Sequence, residues 1–324
     1  MDLKRTITAF VLHLSADGYS QTTQDLYGWA LKLLCSYLDN PEISAIKPTD
    51  LDRFWSWLRN DYKPKRMNGK TDPLAGRSLE NVWTAERTFF AWCQTTGKIK
   101  KRPDLNIRKP EYAEREIQPF TLDEVKRMLE AAQRTRIAAT ERRTPFTMPR
   151  ATAKRDTALI MILADTGMRV SECARLLRSD IDFDVRELTI RAFGTGRKTK
   201  ERTLEIGKQT VLALWEYVLW REAGEQQDLA DDDLIFRTLA GNPMNKDSIR
   251  QVITEIGLAA GVENAHPHRF RHFYTSEMAA DDMAEENLMY NLGQTSGKMV
   301  RRYTHLHRRR RRQHISPVDK LKKK

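Results

Sequence analysis

Four segments in the first hundred residues repeat apolar side chains every three or four positions, which places those side chains on one face of a helix. The first segment runs from Thr6 to Ala16 and stops at Asp17-Gly18, and Ser20 is expected to cap the second. The third opens at Lys47-Pro48, and the fourth starts at Ser78 after a polar loop. Four helices with short links predict a helical bundle. The tryptophans on its apolar faces are expected in the core: Trp29, Trp55, Trp83 and Trp92.

The apolar periodicity fades from Lys98 to Gln118, where Pro103 and Pro110 interrupt a polar, charged stretch. Such a composition is typical of a linker between domains. At 324 residues the chain is also long enough for two separate cores. We therefore assign residues 1–107 to an N-terminal domain, 108–118 to a linker and 119–324 to a C-terminal domain.

Helical signals resume at the start of the C-terminal domain. Thr121 and Glu124 have the spacing of a capping box, in which each side chain bonds the backbone of the other residue. The polar stretch from Gln133 to Lys154 is expected to be an exposed loop. An apolar helix is predicted from Asp156 to Asp165, and Gly167 is placed to end it with a left-handed backbone.

Two later segments, Leu188–Phe193 and Glu201–Ile206, alternate apolar and polar residues as strands do, and the basic stretch 194–200 between them predicts a hairpin turn. Further helices are expected over five segments: Val170–Leu177, Thr210–Arg221, Lys246–Ala260, Phe270–Ala280 and Glu285–Leu292. The predicted fold class is mainly α, with a four-helix N-terminal domain and a mostly helical C-terminal domain that contains a small antiparallel β-sheet.

Charge and composition narrow the class of partner. Lysine and arginine (56) exceed aspartate and glutamate (44), which gives a formal net charge of +12. This balance favours a polyanionic partner, although charge alone is equally compatible with a well-solvated basic surface. The three cysteines are too scattered for a disulfide framework or a zinc module, and no apolar run reaches membrane-spanning length. We expect a cytoplasmic or nucleoid-associated protein without a membrane partner.

Candidate chemistry concentrates in the C-terminal domain. Residues 266–272 contain three histidines and two arginines, and Arg169, a lysine-bearing turn and Tyr303 in an arginine-rich setting lie on either side of them. Attack on a phosphodiester needs a nucleophile, an acid for the leaving oxygen and cationic donors for the phosphate oxygens. Arginine suits the last role because its planar fork holds two oxygens and keeps its charge.

The order of these motifs resembles the tyrosine recombinase, or phage integrase, family, and is Xer-like. The motifs are Thr-Gly-Met-Arg (166–169), the basic hairpin turn, His-x-x-Arg-His (268–272), Leu-Gly-Gln (292–294) and Tyr-Thr-His (303–305). The resemblance implies a core-binding N-terminal domain and a C-terminal catalytic domain of the DNA breaking-rejoining fold. It implies catalytic roles for six residues: Arg169, Lys198, His268, Arg271, Gln294 and Tyr303.

The resemblance further implies that Tyr303 forms a covalent 3′-phosphotyrosine with DNA. Because that link conserves the energy of the phosphodiester, neither ATP nor a metal or other cofactor is expected. Glu172 and His272 are the expected supporting residues. The lysine of the turn is either Lys198 or Lys200, and we favour Lys198 because it lies nearer the tip. The expected partners are double-stranded DNA with paired recombination half-sites and three further copies of the chain, in a homotetramer.

One position departs from the family pattern. Relatives commonly carry histidine or tryptophan after the Leu-Gly, whereas this chain carries Gln294, which donates a hydrogen bond but cannot shuttle a proton. Two other activities stay open, and the glutamine favours only the first of them. One is a DNA-binding regulator with weakened catalysis, and the other is an enzyme like a type IB topoisomerase that nicks and reseals one duplex. The sequence leaves open the DNA site and the choice among integration, excision and resolution.

Overall fold

The computed structural model describes residues 1–66, 69, 71–113, 118–134, 148–193, 201–294, 297 and 300–301, together with the backbone of 138–140 and 143–146. The chain forms two compact units, Met1–Arg115 and Glu116–Lys324. The boundary between them falls inside residues 108–118, the stretch proposed as the linker.

The N-terminal unit contains the four predicted helices: α1 (Leu3–Ala16), α2 (Gln21–Tyr37), α3 (Pro48–Asn60) and α4 (Gly76–Thr95). A short 3-10 turn, Ile43–Ala45, precedes α3. The Ser20 side chain accepts a hydrogen bond from the Thr23 backbone, so the predicted cap of α2 is confirmed. Helix α1 packs against α2, and α2 against α4.

Aromatic side chains fill the core of this unit. Phe10 and Phe89 are fully buried, and their rings meet edge to face at 5.4 Å. Trp55 is buried, and Trp83 and Trp92 pack partly buried against the core, as expected. The prediction was wrong for Trp29, which is exposed. Helix α2 turns a different line of residues inward: Gly28, Ala30, Leu31 and Leu34.

The C-terminal unit is mostly helical, as predicted. Its helices are α5 (Leu122–Gln133), α6 (Ala153–Thr166), α7 (Val170–Cys173), α8 (Lys208–Glu225), α9 (Lys246–Ala259), α10 (Pro267–Ala280) and α11 (Glu285–Leu292). Helix α6 contacts α5, α8 and α10, and the side chains of its Leu159 and Leu163 are completely buried in the core. The capping box of Thr121 and Glu124 at the start of α5 is confirmed.

The segment predicted as an exposed loop contains a hairpin. Strands β1 (Ala138–Thr140) and β2 (Arg143–Phe146) pair antiparallel, so the prediction of a loop from Gln133 to Lys154 was wrong there. Neither strand shows the alternation of apolar and polar residues from which strands are predicted. A two-stranded ribbon can form without burying one of its faces, so its sequence need not alternate. A proline at position 145 is tolerated because both strands of such a ribbon are edge strands.

Three short strands form the small antiparallel sheet, in the order β3-β4-β5. They are β3 (Ile181–Asp182), β4 (Glu187–Ile190) and β5 (Arg202–Glu205). Leu188 lies opposite Leu204, and Ile190 lies opposite Arg202. The two predicted strands are therefore present but shorter at the turn, whereas β3 is too short to show any alternation in sequence.

The helix predicted from Val170 to Leu177 ends early. Helix α7 stops at Cys173, and the Arg175 backbone N–H bonds the Glu172 carbonyl, three residues back, in a tighter turn. All three cysteines are free, and burial raises the pKa of the Cys93 thiol to about 12. None of the helices in the described part of the chain is both long and apolar enough to cross a membrane.

Candidate active site

Helix α10 carries the histidine and arginine cluster. It begins at Pro267, three residues before the predicted start, because proline is well suited to the first helical position. His268 therefore lies in the first turn and is exposed, whereas Arg271 and His272, one turn later, are buried. The helix thus presents one histidine to solvent and holds two basic groups behind it.

The side chain of Arg271 links α10 to the C-terminal ends of α6 and α11. One terminal nitrogen of its guanidinium donates to the Gly167 carbonyl at 3.0 Å, and the other donates to the Leu292 carbonyl at 2.6 Å. Gly167 ends α6 with the predicted left-handed backbone, at φ 58°. Burial, together with the charge of Arg169, lowers the pKa of Arg271 to about 9. The group therefore keeps its positive charge at neutral pH.

Arg169 lies at the start of α7 and is held by a carboxylate within its own turn. Its guanidinium donates to Glu172 at 2.9 Å and to the Gly293 carbonyl at 3.2 Å. The Arg169 backbone N–H donates to the other Glu172 oxygen at 2.8 Å. Since 30% of the Arg169 side chain is still exposed, its guanidinium can reach a ligand while Glu172 fixes its direction.

A third arginine, Arg202 at the start of β5, was missed by the sequence reading. Its guanidinium donates to both Glu172 oxygens, at 2.9 and 3.3 Å, and to the Asn291 carbonyl at 2.8 Å. Only 3% of Arg202 is exposed. One feature of the sequence could have identified Arg202 as a buried functional residue. In the alternation of the predicted strand, Arg202 shares the inward face with Leu204, where an apolar residue is normal.

Glu172 joins the two arginines and stays ionised. Burial by itself would raise its pKa, but the hydrogen bonds and charges of Arg202 and Arg169 outweigh burial and lower the pKa below the ordinary value. The carboxylate is completely buried. Glu172 is therefore an internal counter-ion that fixes both guanidinium groups.

The two histidines of α10 stack edge to face, with ring centroids 4.6 Å apart. His268 remains exposed at the surface, yet the surrounding protein removes part of its hydration, and Arg271, His266 and Arg169 add positive charge. Together these effects lower the pKa of His268 to about 4, so the ring is neutral at pH 7. His272 is buried against it and supports its orientation.

The Leu-Gly-Gln segment closes the other side of the site. Helix α11 ends at Gly293 with φ 57°, and the Gln294 backbone N–H bonds the Met289 carbonyl at 2.9 Å. The carbonyls of Leu292 and Gly293 are the ones that bind Arg271 and Arg169. Gln294 is half-buried beside them.

Several predicted residues lie outside the described part of the chain. These are Lys198, Lys200 and Tyr303, together with the basic tail. Among the residues that are described, the structure brings together Arg169, Glu172, His268, Arg271 and His272, with Gln294 next to them. No group of three His, Cys, Asp or Glu residues in this described set is arranged to hold a metal ion.

Arg269, in the middle of the same basic motif, has a different use. Its guanidinium donates to the carbonyls of Gln118 and Pro119 and pairs with Glu124 at 3.1 Å, and it stacks over Phe120 at 4.1 Å. It is 8% exposed. Arg269 therefore anchors the first residues of the C-terminal unit to α10.

The arrangement is suited to binding an anion. Arg169 and His268 line one cleft of about 520 Å³, and the buried Arg271 follows His268 by about one turn of α10. Two fixed guanidinium groups can stabilise the negative charge that develops on phosphate oxygens, because their positions are set before the reaction. A neutral histidine beside them can accept or donate a hydrogen bond.

Comparison with known proteins gives one consistent result. The sequence matches the phage integrase family over residues 119–310. It is 24% identical over 308 residues to tyrosine recombinase XerC of Xanthomonas axonopodis pv. citri (strain 306), covering 94% of this chain and 89% of that protein.

Two solved structures show a similar fold. A lambda integrase dimer bound to a COC′ core site has a TM-score of 0.68 and 15% identity, over 98% of this chain and 81% of that one. A lambda integrase tetramer bound to a Holliday junction has a TM-score of 0.66 and 16% identity, over 94% and 77%.

Proposed function

The chain belongs to the phage integrase family, and from that premise we propose that it is a tyrosine-type site-specific DNA recombinase. The hydroxyl oxygen of Tyr303 attacks the scissile phosphorus, the bond from phosphorus to the 5′ oxygen breaks, and a 3′-phosphotyrosine forms. In rejoining, a 5′ hydroxyl attacks that phosphotyrosine and Tyr303 leaves. The observation that carries the proposal is that Arg169 and Arg271 are bound to adjacent carbonyls, Gly293 and Leu292, beside His268.

Each described residue has a role that its contacts support. Arg169 and Arg271 hold the non-bridging oxygens of the phosphate, because both guanidinium groups are fixed and charged at neutral pH. His268 bonds the phosphate from the edge of the cleft and takes up a proton as negative charge develops near it. Glu172 and His272 act through these residues, as positioning residues.

Lys198 protonates the leaving 5′ oxygen in this proposal, and Gln294 donates its side-chain N–H to a non-bridging oxygen. The preference for Lys198 over Lys200 stays a prediction. A tyrosine has an ordinary pKa of about 10, so Tyr303 must give up its proton during attack. Arg301 and Arg302, directly before it in the sequence, favour that loss because positive charge stabilises the phenolate.

The assembly follows from what such a reaction needs. Exchange joins strands from two duplexes, so we propose double-stranded DNA with paired half-sites and a homotetramer that holds four cleavage sites. The lambda integrase tetramer on a Holliday junction is a precedent with a similar fold. We also propose that the protein acts in the cytoplasm and associates with the nucleoid.

The first test is to trap the covalent adduct. We expect Tyr303→Phe to abolish strand cleavage and leave DNA binding nearly unchanged, because the substitution removes only the attacking oxygen. The measurement uses duplexes selected from a randomised pool by covalent capture on the unaltered protein. Adduct formed by Tyr303→Phe would exclude Tyr303 as the nucleophile. Exchange between two marked duplexes then separates a recombinase from an enzyme that only nicks and reseals.

A further inference from the structure

The cleft shared by Arg169 and His268 continues past them to a second pair of basic residues. Arg250 comes from α9, and His266 precedes the first residue of α10. The other residues that line the cleft carry no charge: Met168, Val170, Ser171 and Pro267. The four ionisable groups of its lining are therefore all basic, and two of them have no part in the proposed chemistry.

The second pair lies in a basic and partly exposed part of the cleft. Partial burial, Arg269 and Arg250 all lower the pKa of His266. Arg250 pairs with Asp247 at 2.7 Å, but both side chains are more than half exposed. An exposed pair of this kind contributes little to stability, so Arg250 can exchange Asp247 for a ligand at low cost.

We propose that Arg250 and His266 bind a second backbone phosphate, next to the scissile phosphate on the same DNA strand. The inference rests on the proposed function, because that function places the scissile phosphate at Arg169 and His268. Each strand of a duplex carries a phosphate roughly every 3.4 Å along the axis, so a neighbour must follow the scissile group closely. Arg250 takes two phosphate oxygens in its fork, and His266 gains a proton as the anion arrives.

Such a subsite fixes the strand on one side of the bond that breaks. A phosphodiester held at one point can swing about it, whereas one held at two consecutive phosphates presents its scissile phosphorus in one direction. The subsite contributes binding and alignment, so losing it slows cleavage less than losing Arg169 or Arg271.

The first experiment needs no DNA and uses inorganic phosphate as the probe. The proton resonances of His266 and His268 in the full chain are assigned with His266→Gln and His268→Gln and are titrated with and without phosphate. We expect phosphate to raise both titration midpoints, and Arg250→Gln to cancel the rise at His266 while leaving that at His268. No rise at His266 in the parent protein would overturn the proposal, and this result is independent of any recombinase activity.

The second experiment uses the duplex recovered by adduct capture, with single phosphates replaced by neutral methylphosphonates. Arg250→Gln is expected to weaken binding about tenfold and to reduce the log–log salt slope by about 0.9. On the duplex whose flanking phosphate is neutral, the same substitution should have no further effect. Lys208→Gln is the matched control, since it removes an exposed charge that lines a different cleft, and its effect should not depend on that phosphate.

Asp247→Asn is expected to change DNA binding in the opposite direction. Removing the competing carboxylate should tighten binding of the same duplex severalfold in the parent, and should do nothing in the Arg250→Gln background. If Arg250→Gln weakens binding to every methylphosphonate duplex equally, the subsite does not exist. The proposed recombinase function, which adduct formation tests, is unaffected by that result. If no adduct is captured but phosphate still raises the midpoint at His266, the proposed function fails and the anion site remains.

Discussion

Gln294 was predicted from the sequence to depart from the family pattern, and a hydrogen bond holds its backbone in place. The hydrogen bond to the Met289 carbonyl fixes it directly after the two carbonyls that hold Arg271 and Arg169. A side chain at this position is therefore close to the proposed phosphate whatever its chemistry. Proton transfer in the site must then fall to other groups, because an amide cannot supply it.

We expect Gln294→His to maintain or raise cleavage and Gln294→Ala to lower it. The loss in Gln294→Ala should be smaller than in Arg169→Ala or Arg271→Ala, because a neutral donor contributes about half as much as a charged one. The arginine substitutions should slow cleavage by about two to three orders of magnitude. Single-turnover cleavage at saturating DNA measures all four variants. A Gln294→Ala protein as fast as the parent would show that the side chain faces away from the phosphate.

Glu86 is a buried acid far in sequence from the proposed chemistry. It is 2% exposed and accepts a hydrogen bond from the Trp55 ring N–H at 2.8 Å, while its second oxygen has no partner among the described residues. Burial raises the pKa of Glu86 to about 8. The folded N-terminal unit therefore keeps this carboxyl protonated at neutral pH.

The raised pKa predicts a stability that falls as the pH rises. Unfolded Glu86 releases its proton near pH 4.5, whereas folded Glu86 keeps it to about pH 8, so increasing pH favours unfolding between these values by up to about 1.4 kcal/mol per pH unit. Glu86→Gln keeps an acceptor for Trp55 and should flatten this dependence, gaining most at high pH. Thermal unfolding of the full chain, followed by tryptophan fluorescence from pH 5 to 9, measures it. Exposed Glu130→Gln is the control, and an equal pH dependence in Glu86→Gln and the parent would contradict the assignment.

Among the elements, the C-terminal end of α11 lies so close to Arg202 that the residue there, Gly293, has no room for a side chain. A Cβ on Gly293 would lie 2.7 Å from an Arg202 terminal nitrogen, and the backbone there is left-handed. Arg202 cannot simply withdraw, because its guanidinium is bonded to Glu172 and to the Asn291 carbonyl. The helix end, β5 and α7 thus meet at a point where only glycine fits.

Gly293→Ala is therefore expected to lower single-turnover cleavage by at least about tenfold, because it displaces Arg202 and frees Glu172 from one partner. Gly261→Ala is the matched control. Gly261 also comes after the end of a helix and also has a left-handed backbone, but its added Cβ would meet only one atom, at 3.7 Å. It should lose about 1 kcal/mol of stability through backbone strain without that loss of activity. Equal cleavage by the two variants would show that the contact between Gly293 and Arg202 does not matter.

For the molecule as a whole, charge is unevenly distributed along the chain. Residues 308–324 carry nine lysines and arginines and one aspartate, so this tail supplies most of the formal net charge of +12. The tail lies outside the described residues, and its role is open to a direct test. Contacts to phosphates release counter-ions, which makes binding depend steeply on salt.

Deleting residues 308–324 should flatten the salt dependence of DNA binding or weaken assembly on DNA. Each lost phosphate contact lowers the log–log slope by about 0.9. Binding measured over a series of salt concentrations gives the slope, and sedimentation of the DNA complexes gives the assembly state. If slope and assembly are both unchanged, the tail is only a solvated extension.

The sequence by itself determined the local architecture. The caps at Ser20 and Thr121, the left-handed end at Gly167 and most helices were predicted correctly, because capping and helical periodicity depend on residues within about one turn of each other. Motif order also identified the family. Arg169, His268 and Arg271 were named as site residues from that order, not from any contact between them.

Tertiary structure alone decided how those residues are held. Arg271 binds a carbonyl 104 residues away, Arg169 binds one 124 residues away, and Arg202 reaches Glu172 across 30 residues. No local pattern reports such contacts, because they depend on which helix ends pack together. For the same reason, the sequence could not tell that Arg269 bonds the first residues of the C-terminal unit while Arg271, two positions later, bonds the ends of α6 and α11. Both side chains are buried, so their tertiary contacts, and not their burial, separate two arginines that look equivalent along the chain.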